Sequence, residues 1–152
     1  MNDGDGSTLE TLDLESFLPY RLNRIADVVS RRFAAVYRER HGLTRPEWRA
    51  LATIGQFGTV TASRIVEHSA MHKTKVSRAV AALHKRGWLE RVTDSSDRRV
   101  EHLRLTARGR KAYRGLVPVA KSYEAELLAM LTPADGKALL AGLDALEGST
   151  RS

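Results

Sequence analysis

The chain of 152 residues contains no cysteine. That excludes disulfides, thiolate nucleophiles, cysteine-based zinc sites and thiol redox sensing. No apolar run approaches the ~20 residues needed to span a membrane. The opening MNDGDGSTLETLDLE is acidic and polar, unlike a signal or transit peptide, so a soluble cytoplasmic protein is expected. The histidines, His41, His68, His72, His84 and His102, fall at no metal-ligand spacing. A Gly-rich phosphate loop and a nucleophile elbow are also missing. With these absences the reading is of a non-enzyme with no cofactor and no metal.

What is present is a concentrated charge. Residues 1–60 carry 8 Lys/Arg against 8 Asp/Glu, and residues 111–152 carry 5 against 5. Residues 61–110 carry 12 against 5, which is the whole net charge of +7. A neutral chain with one basic third is the footprint of a surface that meets a polyanion.

The flanking pattern is helical. Residues 1–13 are Gly-, Asp-, Ser- and Thr-rich and are expected to be disordered. From Leu14 to Tyr37 the apolar residues recur at steps of three and four, which predicts a helix from near Ser16 to His41, stopped by Gly42. Thr44 and Glu47 form a capping box, with Leu43 and Trp48 at the staple positions, and open a second helix ending at Phe57-Gly58. Thr59-Val60 reads as a short strand. Thr61 caps a brief helix over 62–68, a tight Ser69-Ala70-Met71 connection follows, and a further helix runs from Lys73 to Arg86. Its cap position falls at His72, a weak cap. Gly87 ends it. Two partly alternating runs, 88–92 and 100–105, flank a polar tip over 93–99. Thr106 caps a long helix with Pro118 inside it, where a bend is expected. Thr132 with Pro133 starts a last helix lined by Leu139, Leu140, Leu143 and Leu146, and the tail over 148–152 is expected to fray. Two short helices joined by a turn and followed by a hairpin make a winged helix-turn-helix. The fold class is mainly α with a small β-hairpin wing.

Asp97-Arg98-Arg99, then Leu103, Leu105, Thr106 and Gly109, resembles the D-x-R…L-x-L-T-x-x-G signature of MarR-type transcriptional regulators. The stretch from Lys73 to Arg91 is similar to that family's recognition helix and first wing strand. The resemblance covers nearly the whole chain and implies a homodimer. It implies that 14–42 and 107–147 build a helical dimerisation region and that 43–106 is the winged helix-turn-helix. Two positions depart from the pattern: Ser96 stands where the wing often has a basic residue, and His72 where the recognition helix often has Asp or Ser.

In a helix-turn-helix the second helix enters the major groove N-terminus first. Lys73, Thr74, Lys75, Ser77 and Arg78 lie there, with Arg78 best suited to a bidentate guanine contact. Thr61 and Ser63, at the preceding helix N-terminus, are phosphate donors. The resemblance places Arg99, with Arg98 beside it, in a minor groove, and Asp97 pairs with an Arg to shape the tip. The expected partner is a pseudo-palindromic double-stranded DNA operator, and the expected function is that of a homodimeric repressor released by a small ligand such as an aromatic acid. Tyr37, His41, Trp48 and Arg49 are the candidates for lining the effector crevice. The alternatives are a constitutive regulator without an effector and a winged helix that contacts protein or RNA.

Overall fold

The computed structural model describes residues 9–150. Among these the elements run α1 (Leu18–His41), α2 (Arg45–Phe57), α3 (Ala62–Ser69), α4 (Lys73–Lys85), β1 (Leu89–Thr93), β2 (Glu101–Leu105), α5 (Ala107–Ala129) and α6 (Pro133–Thr150). None of the described helices is long and apolar enough to cross a membrane.

Caps decide most of the boundaries. The Thr44 hydroxyl accepts from the Glu47 N–H at 3.3 Å, and the Glu47 carboxylate accepts from the Thr44 N–H at 3.1 Å. Thr61, Thr106 and Thr132 each accept from the backbone N–H three residues on, at 3.2, 3.1 and 3.1 Å. These hydroxyls satisfy amides that a helix start leaves without partners. At the other ends Gly42 (φ 64) and Gly87 (φ 74) take the left-handed backbone that terminates a helix cheaply.

Three expectations shift. Helix α1 starts at Leu18, with Pro19 in its first turn, because Asp13 organises the approach. The Asp13 carbonyl accepts from the Phe17 N–H at 3.1 Å and its carboxylate from the Ser16 hydroxyl at 2.7 Å. Asp13 was expected at the end of a disordered tail; residues 1–8 of that tail lie outside the described residues. Helix α6 continues past Gly148 to Thr150 rather than fraying, with the Ser149 and Thr150 hydroxyls donating to the Ala145 and Leu146 carbonyls. Residues 151–152 lie outside the described residues.

The core lies around α2, which packs against α3, α4, β2 and α5. Leu51 and Ile54 of α2, Val76 and Leu83 of α4, Ile65 of α3 and Leu116 of α5 are all fully buried. In β2 Leu103 and Leu105 are buried and Arg104 between them is exposed, the alternation a one-sided hairpin requires. β1 and β2 pair antiparallel, with Leu89 opposite Leu105 and Thr93 opposite Glu101. Val60 adds a single bridge to Leu103, so the short strand expected at 59–60 is reduced to one residue pair. An aromatic cluster joins α1 to α2 and α5: Phe33 stacks on Tyr123 at 5.4 Å, and Tyr37 stacks on Trp48 at 5.6 Å. The Tyr123 hydroxyl donates to the Val29 carbonyl at 2.6 Å. By contrast α6 buries none of its residues, and Leu139, Leu140, Leu143 and Leu146 stay exposed.

Candidate nucleic-acid interface

Helix α4 starts behind His72, whose Nδ1 accepts from the Thr74 N–H at 3.3 Å. The expected weak cap is therefore made, at the long end of the hydrogen-bond range. Accepting through Nδ1 requires the neutral ring with its proton on Nε2. Beyond the cap, Lys73, Thr74, Lys75, Ser77 and Arg78 are all exposed, while Val76, Ala79 and Val80 of the same helix are buried. One side of the helix is thus core and the other is cationic. Ser63, Lys73 and Ser77 line one groove of about 370 Å³ with Arg91 of β1. Thr61 spends its acceptor on the α3 cap, and its O–H proton stays available to an anion.

Ion pairing sorts the twelve basic residues of the central segment. Arg64 pairs with Glu67 at 3.9 Å, Arg91 with Glu101 at 3.2 Å, and Arg104 with Glu90 at 2.6 Å. Arg86 donates to the His41 and Gly42 carbonyls at 2.7 and 3.0 Å and lies 5.2 Å over the Trp88 ring. It closes the C-terminal end of α1 onto the end of α4, a structural task its sequence position did not disclose. Among the described residues Lys73, Lys75, Arg78 and Arg98 have no acidic partner within 4 Å. Three of these four, Lys73, Lys75 and Arg78, lie where the helix-turn-helix pattern places DNA; Lys85, Arg108 and Arg110 are likewise without an acidic partner but lie elsewhere.

The wing tip is folded around two carboxylates. Asp97 accepts from the Arg99 N–H at 3.0 Å and from Arg99 Nε at 3.2 Å. Engaging Nε orients the guanidinium and leaves both terminal nitrogens free to donate. Asp94 accepts from the Ser96 N–H at 2.8 Å and the Ser96 hydroxyl at 2.6 Å, with His102 Nε2 at 3.2 Å from its other oxygen. The hydrogen bonds from Ser96, then His102, hold the Asp94 carboxyl far below the usual range, and those from Arg99 lower Asp97. Ser96 is thus a strut of the tip as well as an absent cation. The Asp94–Ser96–His102 lock was missed in the sequence, although Asp-x-Ser at the start of a polar tip is a turn signature.

A profile of the MarR family matches residues 41–100. A MarR family transcriptional regulator of Silicibacter pomeroyi DSS-3, SPO1453, is 31% identical and superposes with a TM-score of 0.75 over 90% of this chain and 99% of its own. The chain belongs to the MarR family. It is a transcriptional regulator, not an enzyme. Transcriptional regulator HosA of Escherichia coli is 26% identical over 90 residues, 59% of this chain and 67% of HosA. A Bordetella bronchiseptica structure describes regulation of DNA binding of BpsR by 6-hydroxynicotinic acid; it is 22% identical, with a TM-score of 0.70 over 84% of this chain and 98% of its own.

This MarR chain divides its expected effector residues between two places. Tyr37, Trp48 and Arg49 line one cleft of about 430 Å³ between α1 and α2, together with Asp27, Ser30 and Arg45. The phenol of the buried Tyr37 makes no hydrogen bond among the described residues, and burial raises its pKa, so it stays protonated. Arg49 is already engaged: its guanidinium donates to the Ser69 carbonyl at the end of α3. His41 departs from the expectation. It sits edge-on to Trp88 at 5.3 Å and lines a different cleft, because it lies at the C-terminus of α1, one turn beyond Tyr37.

Proposed function

We propose that this chain is a homodimeric repressor that grips a pseudo-palindromic duplex operator and releases it when a small aromatic acid binds. The unpaired, exposed cations at the α4 N-terminus carry the DNA reading. Lys73 and Lys75 meet phosphates, Arg78 reads a guanine edge, and Thr74 and Ser77 add hydroxyl contacts. Thr61 and Ser63 hold phosphate at the α3 N-terminus. Arg99, aimed by Asp97, enters the minor groove with Arg98 beside it.

The dimer rests on the apolar faces that find no partner within the chain. Leu18, Leu22 and Ile25 of α1 are exposed, as are all four leucines of α6. An apolar helix face needs a covering surface, and a second copy supplies one of matching character. Residues 14–42 and 107–147 would then join two copies, each presenting its 43–106 reading head. The effector would lie in the Tyr37–Trp48–Arg49 cleft, where Arg45 adds a cation beside the stacked rings. The regulation of BpsR by an aromatic acid supports that ligand class.

Site selection from random duplex DNA with the purified protein tests the reading. A palindrome with half-sites about one helical turn apart is the expected product. A single unpaired half-site, or preference for RNA in a competition assay, would remove it. Operator release by an aromatic acid, abolished in Arg45→Gln, tests the effector; affinity indifferent to every acid tried leaves a constitutive regulator.

A further inference from the structure

The cleft that holds His41 is unlike the one that holds Tyr37. It has a volume of about 620 Å³ and lies between the end of α1, the start of β1 and the first turns of α5. Arg40, His41, Arg108 and Lys111 line it around Trp88, and no Asp or Glu does. Among the described residues, Arg40, Arg108 and Lys111 have no acidic partner within 4 Å. The Arg108 guanidinium lies against the α4–β1 turn, 3.3 Å from where a side chain on Gly87 would begin.

Arg40, His41, Arg108 and Lys111 fall within the segments proposed to join two copies, yet away from the exposed apolar residues that would do so and from the reading helix. Lys73, Lys75 and Arg78 of the reading helix lie in its N-terminal half. Trp88 follows its C-terminus, about 20 Å away along 13 residues at 1.5 Å each. The exposed large apolar residues of α1 end at Val28, about 18 Å along the helix from Arg40. The cluster therefore stands apart from both proposed surfaces, and like charges gathered without a counter-ion are costly unless something anionic visits.

We propose that this cleft binds a small phosphorylated molecule bearing a planar ring. Three cations on two helices match a dianion or polyanion; a monocarboxylate would leave most of their charge unanswered. Arg40 and Arg108 offer forked donors suited to phosphate oxygens, and Lys111 adds a mobile point charge. Trp88 supplies an aromatic wall for the ring, at a volume usual for small-ligand sites. His41 reports the same field: burial first, then Arg86 and Arg40, hold its pKa below the ordinary value. A bound phosphate would offset those charges and let the imidazole take up a proton.

The test is calorimetric titration of the full-length protein at low salt with phenyl phosphate, inorganic phosphate and benzoate. Phenyl phosphate should saturate the site and bind about tenfold more tightly than the other two. Arg108→Gln/Lys111→Gln should weaken it by at least about tenfold with the melting temperature of the free protein little changed, while Arg45→Gln in the other cleft leaves it intact. The His41 ring-proton resonance should titrate at higher pH in the complex. Absence of saturation by ~10 mM phenyl phosphate would overturn the proposal. So would binding indifferent to Arg108 and Lys111, or binding lost in Arg45→Gln, which moves the ligand to the aromatic cleft. If the double variant loses DNA affinity and phenyl phosphate does not bind, the cations serve the DNA backbone instead. None of these results bears on the DNA-reading residues of α4.

Discussion

Asp94 and Asp97 are acids on a surface proposed to approach a polyanion, and each is held ionised by donors of the wing itself. Their cost in repulsion is offset by shape, since Asp97 aims Arg99 and Asp94 closes the turn through Ser96 and His102. Both carboxyl pKa values are lowered, so their contribution to the folded wing is fully present above the unfolded value of roughly 4. It is lost only as pH falls through the lower folded values. A carboxylate NMR titration should therefore find Asp94 ionised well below pH ~4, and a midpoint near that value would contradict the lock. Ser96→Ala should move the midpoint upward, since Ser96 is the largest source of the shift. Arg99→Ala should weaken binding to every duplex sequence and reduce the salt slope by about one. Affinity unchanged at several salt concentrations would end the proposed role of Arg99.

At the scale of elements, the close approach of α5 to the wing stands on Gly109. A Cβ there would lie 2.1 Å from the Trp88 carbonyl oxygen, which also accepts from the Thr106 N–H at 3.0 Å. Backbone cannot swing aside as a side-chain tip can. Gly109→Ala should cost roughly 1–3 kcal/mol by overpacking, read as a lowered denaturation midpoint. A midpoint matching wild type would mean that α5 can slide freely over the β1 start. Helix limits were legible in the sequence because the deciding interactions are local: Thr44 with Glu47, and Thr61, Thr106 and Thr132 with amides three residues on. The His102–Asp94 contact was not, since it depends on the hairpin pairing that brings 94 and 102 together. Arg86 was similarly opaque, because its partners at His41 and Gly42 lie on a distant helix. His41 was misplaced for want of geometry: one turn of α1 separates it from Tyr37 and gives it a different neighbour.

For the whole molecule, the proposed homodimer would cover the apolar faces left exposed along two of the six described helices, α1 and α6. Leu140→Glu/Leu143→Glu should halve the solution mass measured by light scattering while leaving the circular dichroism of the reading head intact. An undiminished mass would place the subunit contact elsewhere. Linking two heads also multiplies their grip, because the second half-site is met at high effective concentration. The same double variant should consequently lose most of its preference for a palindrome over a single half-site.

Val60 and Leu103 exchange two backbone hydrogen bonds, at 3.0 and 2.7 Å, across the outer edge of the hairpin. All of α3, α4 and β1 lies inside the loop these bonds close. They can form only after those elements have collapsed together, which ties the wing to the timing of the whole head. Opening should be equally collective. The amide protons of Val60 and Leu103 should exchange with solvent as slowly as those of the buried part of α4. Those at the wing tip, fastened only by short side-chain loops, should exchange quickly through local opening.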